Sequence, residues 1–299
     1  MGFEEFFEEM EKRLQEMLGR GCSLERQETL GINGSVKHSL AVSDREKTIC
    51  PCVDMGQCYL TYQAGAGLEE LAEQILEACG KEAPVTKEDV FRFMEWEFIK
   101  GHIFARLINT EKNEALLKEI PYRNYLDLSV VYYARIKGKS GEEAGIIQIR
   151  REHMEQWGVD EETLNRQAWK NLRDTNDAVV EYMSSVLHKY CGVESYPYTG
   201  RVEHEICVLG SRNRTYGAVH MCNREMLLGA SLMCGGDFWI LPSSIHEVIL
   251  APVVQGKFEA QDLAEIVREV NDTRVEQNEI LSYHIYRYYK ERGEVVLAV

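Results

Sequence analysis

Residues 241–248 form the densest group of chemically reactive side chains in the sequence. Ser243, Ser244, His246 and Glu247 supply two hydroxyls, an imidazole and a carboxylate. Serine–histidine catalysis needs the imidazole within about 2.6–3.2 Å of the hydroxyl and a third group that orients the ring. Alternate side chains of a strand share a face, so Ser244 and His246 would lie side by side, whereas Glu247 would point away from them.

This spacing favours an architectural role for the four residues over a catalytic one. The string lacks the glycines that flank the serine of a nucleophile elbow. Serine hydroxyls often bond the backbone in turns, so we predict that Ser243 and Ser244 stabilise a turn while His246 and Glu247 occupy ordinary sheet positions. The alternative is a hydrolase in which His246 is the general acid or base, assisted by Ser244 or Glu247, because histidine titrates near neutrality.

The nine cysteines predict free thiols rather than a metal centre. Structural zinc sites usually combine two pairs of ligands, each pair separated by about two to four residues. Here a single residue separates Cys50 from Cys52, Cys58 follows alone, and no second pair completes the set. An odd number of scattered cysteines is typical of a reducing compartment. We therefore expect no bound metal and a cytoplasmic location.

Residues 59–70 resemble a nucleotide-binding turn but lack its decisive features. Gly65 and Gly67 provide a G-x-G pattern, and the position of the third glycine is occupied by Glu70. Glu69 and Glu70 would stand in the first turn of the following helix, where they would repel a phosphate group. The sequence also contains no Walker-type phosphate loop, so no cofactor is predicted.

The charge balance opposes nucleic acid as a partner. The chain has 49 acidic against 34 basic residues and a net charge of −15, whereas a phosphate-binding surface needs clustered lysine and arginine. No stretch approaches the roughly 18 consecutive apolar residues of a membrane helix. Acidic residues in the first ten positions also oppose a secretory signal. We expect the protein to bind neither nucleic acid nor a membrane. Its expected partner is a protein or a small molecule that the sequence does not identify.

Hydrophobic periodicity predicts the elements that must position these residues. Helices are predicted at 3–18, 68–79, 160–173, 177–190, 223–235 and 259–271, and strands at 24–30, 35–42, 101–108, 126–136, 146–149, 205–210, 215–222, 238–241, 245–250, 282–290 and 294–299. Strands joined by short turns dominate, which favours the α+β class with mixed, mainly antiparallel sheets and helices packed on one face. A polar, glycine-rich turn at 137–143 predicts a boundary between an N-terminal α/β region, 1–140, and a C-terminal α+β region, 141–299.

A set of motifs spread over most of the chain carries a family resemblance. The motifs are Asn33-Gly34, Leu107-Ile108-Asn109 with Asn113, Pro121 followed by Asp127-Leu128, Tyr216-Gly217-Ala218, the string 241–248, Val270-Asn271, and Leu281-Ser282 with Tyr286. On these residues the chain resembles a domain-of-unknown-function family of low-GC Gram-positive bacteria that is often met near mobile elements. The resemblance implies no activity, but it puts emphasis on the string 241–248 and on Asn271. The resemblance also implies serine and threonine at the positions of Cys50 and Cys52, which weakens a metal interpretation.

Three functional hypotheses follow. The first is a non-catalytic intracellular protein that binds another protein or a small ligand, with Ser243 and Asn271 as candidate binding residues. The second is the hydrolase described above, and this hypothesis is supported if Ser244, His246, Glu247 and Asn271 converge in one pocket. The third is an accessory or regulatory protein of a mobile genetic element, for which the acidic chain would imitate the charge of nucleic acid.

Overall fold

A computed structural model describes residues 1–18, 22–44, 52–80, 87–137, 143–191, 205–242, 244–254 and 259–298. Within these ranges the strands form three sheets, and each strand pairing is antiparallel. The predicted α+β class is therefore confirmed. Ser243, Cys50 and most of the predicted 137–143 turn lie outside the described residues.

The first sheet is built from the N-terminal part of the chain. Its strands are β1 (Cys22–Leu30), β2 (Val36–Asp44) and β3 (Cys52–Asp54), and its helices are α1 (Phe3–Met17), α2 (Met55–Gln63) and α3 (Leu68–Gly80). The predicted apolar stripe of α1 is buried, including Phe6, Met10 and Leu14. In the turn between β1 and β2, Asn33 adopts a left-handed backbone conformation with φ 57°, which asparagine tolerates better than most residues.

The second sheet has β6 at its centre. Its strands are β4 (Ile103–Asn109), β5 (Tyr122–Tyr125), β6 (Leu128–Lys137) and β7 (Glu143–Gln148). The neighbouring helices are α4 (Lys87–Phe93), α5 (Trp96–Ile99), α6 (Glu114–Leu117), α7 (Arg151–Trp157) and α8 (Glu161–Asp174). Helix α8 packs on one face, where Asn171 Nδ2 donates hydrogen bonds to the carbonyl oxygens of Lys100 and Ile103 at 2.6 and 2.7 Å. The side chains of Arg106, Tyr133 and Arg135 lie on the opposite face.

The third sheet contains six strands in the spatial order β13-β12-β10-β11-β9-β8. These strands are β8 (Ala178–Tyr182), β9 (Cys207–Ser211), β10 (Phe238–Pro242), β11 (Glu247–Pro252), β12 (Tyr286–Tyr289) and β13 (Glu294–Leu297), accompanied by the helices α9 (Met183–Cys191), α10 (Arg224–Met233) and α11 (Ala260–Thr273). Helix α11 packs Leu263 and Val267 against Trp239 and Leu241 of β10. The residues 274–285, here named the α11–β12 segment, lead from this helix to β12.

One hydrophobic core joins the second and third sheets. It includes Tyr132 of β6, Leu209 of β9 and Phe238 of β10, all of which are fully buried. These residues lie on both sides of position 140, and the boundary proposed there stays a prediction.

Two predicted elements are wrong in type. The helix expected at 177–190 begins only at Met183, because the β-branched Val179 and Val180 belong to β8 and pair with β9. The strand expected at 215–222 is a 3₁₀ helix, Gly217–Cys222, that folds back over β9. A Cβ atom at Gly217 would lie 2.2 Å from the backbone nitrogen of Ser211, so this close approach requires glycine.

Candidate functional site

The hydroxyl of Ser244 bonds to the backbone. Its Oγ accepts a hydrogen bond from the backbone N–H of His246 at 3.0 Å, and the Ser244 N–H donates to the carbonyl oxygen of Glu247 at 3.3 Å. These bonds close a tight turn between β10 and β11. Because the hydroxyl stabilises this turn, it is not directed at the imidazole of His246.

The imidazole of His246 is held at both ring nitrogens. Nδ1 accepts a hydrogen bond from the backbone N–H of Tyr216 at 3.1 Å, and Nε2 lies 3.2 Å from Oε1 of Glu279. Because Nδ1 accepts, the proton of the neutral ring resides on Nε2 and is donated to Glu279. The ring also stacks on that of Tyr216, with centroids 5.4 Å apart and an interplanar angle of 18°. The imidazole is therefore fixed in orientation, and 26% of its side-chain surface reaches solvent.

The carboxylate at His246 belongs to a residue that sequence reasoning did not single out. Glu279 lies in the α11–β12 segment, and its carbonyl oxygen accepts a hydrogen bond from the N–H of Ile245 at 2.9 Å. Glu247, which the hydrolase alternative allowed as an assisting group, lies 3.5 Å from Arg214, and Arg214 also pairs with Glu181 at 2.8 Å. Only the spatial contact between distant segments reveals the role of Glu279.

Asn271 lies away from the 244–247 turn. Its side chain is 1% exposed, and Nδ2 donates a hydrogen bond to the carbonyl oxygen of Ser282 at 2.9 Å. Among the described residues its Oδ1 has no hydrogen-bond partner. The structure therefore brings Ser244, His246 and Glu247 into one turn through backbone contacts and places Asn271 in the last turns of α11, next to the α11–β12 segment.

A buried arginine lies next to the Tyr216–His246 stack. The Arg106 guanidinium carbon is 4.7 Å from the ring centroid of Tyr216 and 5.6 Å from that of Tyr133. Its Nη2 donates to Oε1 of Gln148 at 2.6 Å. Burial lowers the pKa of Arg106, and the phenol groups of both tyrosines oppose this shift. We name Arg106, Tyr133, Tyr216 and His246 the Arg106 cluster.

Arg106 differs from the other arginines around the cluster in having no acidic partner within the described part of the chain. Arg135 pairs with Asp177 at 3.5 Å, donates to the Tyr133 hydroxyl at 3.2 Å and stacks over Phe104. The Nε atom of Arg106 is buried without a hydrogen-bond acceptor among these residues, although only 5% of the residue is exposed.

His220 is a second buried polar group without partners in the described ranges. The residue is 2% exposed, and neither ring nitrogen makes a hydrogen bond there. Burial lowers the pKa of His220 to about 4, with a further contribution from Arg135 that Asp177 opposes. The imidazole is therefore neutral at pH 7.

A separate polar group lies at the start of β6 and consists of Asp127, Ser282, His284 and Tyr286, here named the Asp127 cluster. The Asp127 carboxylate accepts hydrogen bonds from the hydroxyls of Ser282 and Tyr286, both at 2.9 Å. Nδ1 of His284 lies 3.0 Å from the same carboxylate. The His284 side chain is 51% exposed, and its Nε2 has no partner in the part of the chain that is described. A carboxylate that orients an exposed imidazole is an arrangement that could transfer protons.

Two asparagines bond to the α11–β12 segment, and a third holds one of them in place. Asn33 Nδ2 donates to the carbonyl oxygens of Gln277 and Ile280 at 3.0 and 2.7 Å. Asn109 Nδ2 donates to the Leu281 carbonyl at 3.1 Å, and Asn113 Nδ2 to Oδ1 of Asn33 at 2.8 Å. Most of the motifs on which the family resemblance was based therefore meet around this one segment.

The cysteines that were considered as metal ligands lie on separate elements in the described structure. Cys52 is exposed on β3, and Cys58 lies on α2, where burial raises the pKa of its thiol. No group of three or more histidine, cysteine, aspartate or glutamate side chains in the described ranges could hold a metal ion. Likewise, none of the helices described has both the length and the apolar character needed to cross a membrane.

Comparison with known proteins identifies a family. The sequence model of a family described as "Family of unknown function (DUF5688)" matches residues 3–290, so the chain belongs to this family. No curated protein and no solved structure matches the chain. The predicted membership of a domain-of-unknown-function family is confirmed, whereas its Gram-positive range and its association with mobile elements stay predictions.

Proposed function

We propose that this member of the DUF5688 family is a non-catalytic binding module that recognises a small ligand at the Arg106 cluster. The observation that carries the proposal is the fixed imidazole of His246. Both ring nitrogens are hydrogen-bonded and the ring is stacked on Tyr216, yet about a quarter of the side chain is exposed. Nδ1 already accepts a backbone hydrogen bond, so the ring is better suited to recognition than to removing a proton from a substrate.

The surroundings of His246 support a ligand site of ordinary composition. Small-molecule sites combine apolar and aromatic walls with a few placed polar groups. Here Tyr216 and Tyr133 supply aromatic rings in an edge-to-face contact, with centroids 5.1 Å apart. Glu279 and Gln148 supply polar groups at the margin. Side chains that are held before the ligand arrives lose little conformational freedom when it binds, which favours affinity.

The proposal is tested by binding and turnover on the same variants. A thermal-shift screen of the wild-type protein against carboxylates, phosphates, amines and neutral sugars should find compounds that raise Tm. The His246→Ala variant should bind these compounds at least about tenfold more weakly, because it loses the stack and both hydrogen bonds. The matched control is His188→Ala, which changes an exposed histidine of α9 and should leave binding unchanged.

Turnover decides between this proposal and the hydrolase that uses His246 with Ser244 or Glu247. Wild-type protein should not hydrolyse p-nitrophenyl acetate or p-nitrophenyl phosphate faster than His246→Ala does. The Ser244→Ala variant should lower stability, because the turn loses its acceptor, without changing any rate. Hydrolysis by the wild type that is lost in His246→Ala would contradict the binding proposal.

A second candidate function rests on the Asp127 cluster. The pair of Asp127 and His284, with its exposed Nε2, has the geometry of a carboxylate-oriented general base. Under this alternative the protein is an enzyme whose reaction depends on His284 and is independent of His246. Hydrolysis that disappears in His284→Gln and persists in His246→Ala would support it. A cytoplasmic location and a role beside a mobile element stay predictions under either function.

A further inference from the structure

We propose that the ligand of the Arg106 cluster is a small organic anion whose carboxylate or phosphate oxygens bind the guanidinium of Arg106. The inference rests on the proposed function, because it names the class of ligand for the same site. It starts from the burial of Arg106, which is 5% exposed. A buried charge is strongly disfavoured unless an opposite charge or a full set of hydrogen bonds compensates it.

The acidic side chains around the cluster are already paired with other bases. Asp177 lies beside Arg135, Glu181 and Glu247 beside Arg214, and Glu279 beside His246. Arg106 is left with one amide, that of Gln148, and with two tyrosines, of which Tyr216 also shares a side-chain hydrogen bond with the guanidinium.

The free edge of the guanidinium determines which group fits. Nε of Arg106 is buried and has no acceptor among the described residues. Guanidinium presents N–H donors in a planar fork that matches two oxygens of a carboxylate or phosphate. An oxyanion would therefore satisfy both the charge and the vacant donor, which a neutral ligand would not do.

The tyrosines determine what carries the anionic group. The rings of Tyr133 and Tyr216 meet at an interplanar angle of 67°, and His246, whose side chain is 26% exposed, stacks on Tyr216. Aromatic walls favour a flat or apolar body over a fully hydrated inorganic ion. Because the whole chain carries a net charge of −15, attraction of an anion must come from this local site and not from the overall field.

The experiment compares anions with a neutral molecule of the same shape. Titration calorimetry is performed on the full chain with benzoate, phenyl phosphate, acetate and, as the neutral counterpart of benzoate, benzamide. We expect benzoate or phenyl phosphate to bind at least about tenfold more tightly than benzamide, since hydrogen bonds to charged groups are the strong ones. Benzoate and phenyl phosphate separate carboxylate from phosphate, while acetate tests the contribution of the aromatic body.

Variants of the arginine assign the preference to its side chain. The Arg106→Gln variant should abolish the preference for the anion, and Arg106→Lys should weaken it because the charge remains but the fork is lost. The matched control is Arg123→Gln, which removes an arginine of β5, a strand that β6 separates from β4; its side chain is 40% exposed and pairs with Glu162 of α8. Circular dichroism shows whether each variant is folded, and the comparison of benzoate with benzamide on the wild type requires no variant.

Two results would overturn the inference. One is equal affinity of the wild type for benzoate and benzamide, and the other is an anion preference that persists unchanged in Arg106→Gln. If His246→Ala weakens the binding of a screened ligand and Arg106→Gln does not, the binding function is supported and the assignment of the ligand as an anion is wrong. If His246→Ala leaves every ligand unaffected, the proposed function itself fails.

Discussion

Replacement of Asp127 by alanine should destabilise the fold more than replacement of an exposed acidic residue by alanine. Asp127 accepts hydrogen bonds from the hydroxyls of Ser282 and Tyr286, and both of these residues are 0% exposed. Burial raises the pKa of Tyr286, so its hydroxyl remains a protonated donor that requires an acceptor. His284 is half-exposed and can turn to water instead.

The magnitude follows from the two buried donors. Each buried group left without a partner costs about 1–3 kcal/mol, and the exposed imidazole adds little. Because the two hydroxyls share one carboxylate, their contributions are not additive, and we expect the free energy of unfolding of Asp127→Ala to fall by about 3–4 kcal/mol. Such a loss is a large part of the roughly 5–15 kcal/mol that stabilises a typical protein.

Urea denaturation followed by circular dichroism measures this change. The matched control is Asp174→Ala, whose side chain is 59% exposed and pairs with Lys170 on α8, and which should cost less than about 1 kcal/mol. In a double-mutant cycle, Tyr286→Phe should cost less in the Asp127→Ala background than in the wild type, by about 1–2 kcal/mol. Additive losses, or an Asp127→Ala variant within about 1 kcal/mol of the wild type, would refute the reasoning.

The remaining predictions concern titration and close packing. Burial lowers the pKa of His220 to about 4, so between about pH 6.5 and 4 the unfolded chain binds a proton that the folded chain does not. The contribution of His220 to the free energy of unfolding is therefore complete above about pH 6.5 and declines as the pH falls toward 4. Urea denaturation at pH 7 and pH 5 should show that His220→Leu removes about 2 kcal/mol of the pH dependence of stability. The control His188→Leu, at an exposed site, should leave this pH dependence as in the wild type. Equal pH dependence in the wild type and both variants would contradict the prediction. Gly217→Ala should lower the free energy of unfolding by more than about 3 kcal/mol, because its Cβ would lie 2.2 Å from the backbone of Ser211. In Gly229→Ala, in α10, the added Cβ atom meets no atom within 4 Å, so the free energy of unfolding should rise by about 0.5–1 kcal/mol and Tm should rise with it. A lower free energy of unfolding would show that the helix is packed differently.

Much of the secondary structure could be predicted because it depends on local periodicity. The apolar stripe of α1 and the alternation along β6 are properties of neighbouring residues, and both elements occur within two residues of the predicted bounds. The strand β6 begins at Leu128 and not at Leu126, which has a positive φ of 57°. The errors arise where tertiary contacts compete with local pattern. Residues 215–222 alternate like a strand, yet the contact of Gly217 with the β9 backbone requires a tight 3₁₀ turn. Contacts of this kind cannot be read from a window of neighbouring residues.

The site was predictable only in part, for the same physical reason. The string 241–248 was found because its reactive residues are adjacent, but its partners, Tyr216 and Glu279, are about 30 residues away in opposite directions along the chain. Arg106 gave no signal, since a single arginine in an apolar strand is indistinguishable from an ordinary edge residue until its burial is known. Asp127 entered only through the family resemblance, and its role required contacts across more than 150 residues.

The α11–β12 segment connects the polar residues around Asp127 with the imidazole of His246. The segment has little regular structure of its own, so its backbone carbonyls must be satisfied by side chains from elsewhere. Asn33, Asn109 and Asn271 donate to those carbonyls, while Asp127 accepts a hydrogen bond from the hydroxyl of Ser282. The same segment then presents Glu279 to His246 on its other side. The asparagines and the aspartate thus hold in place the carboxylate that orients the imidazole, which links the architecture of the segment to the proposed binding site without requiring either group to react.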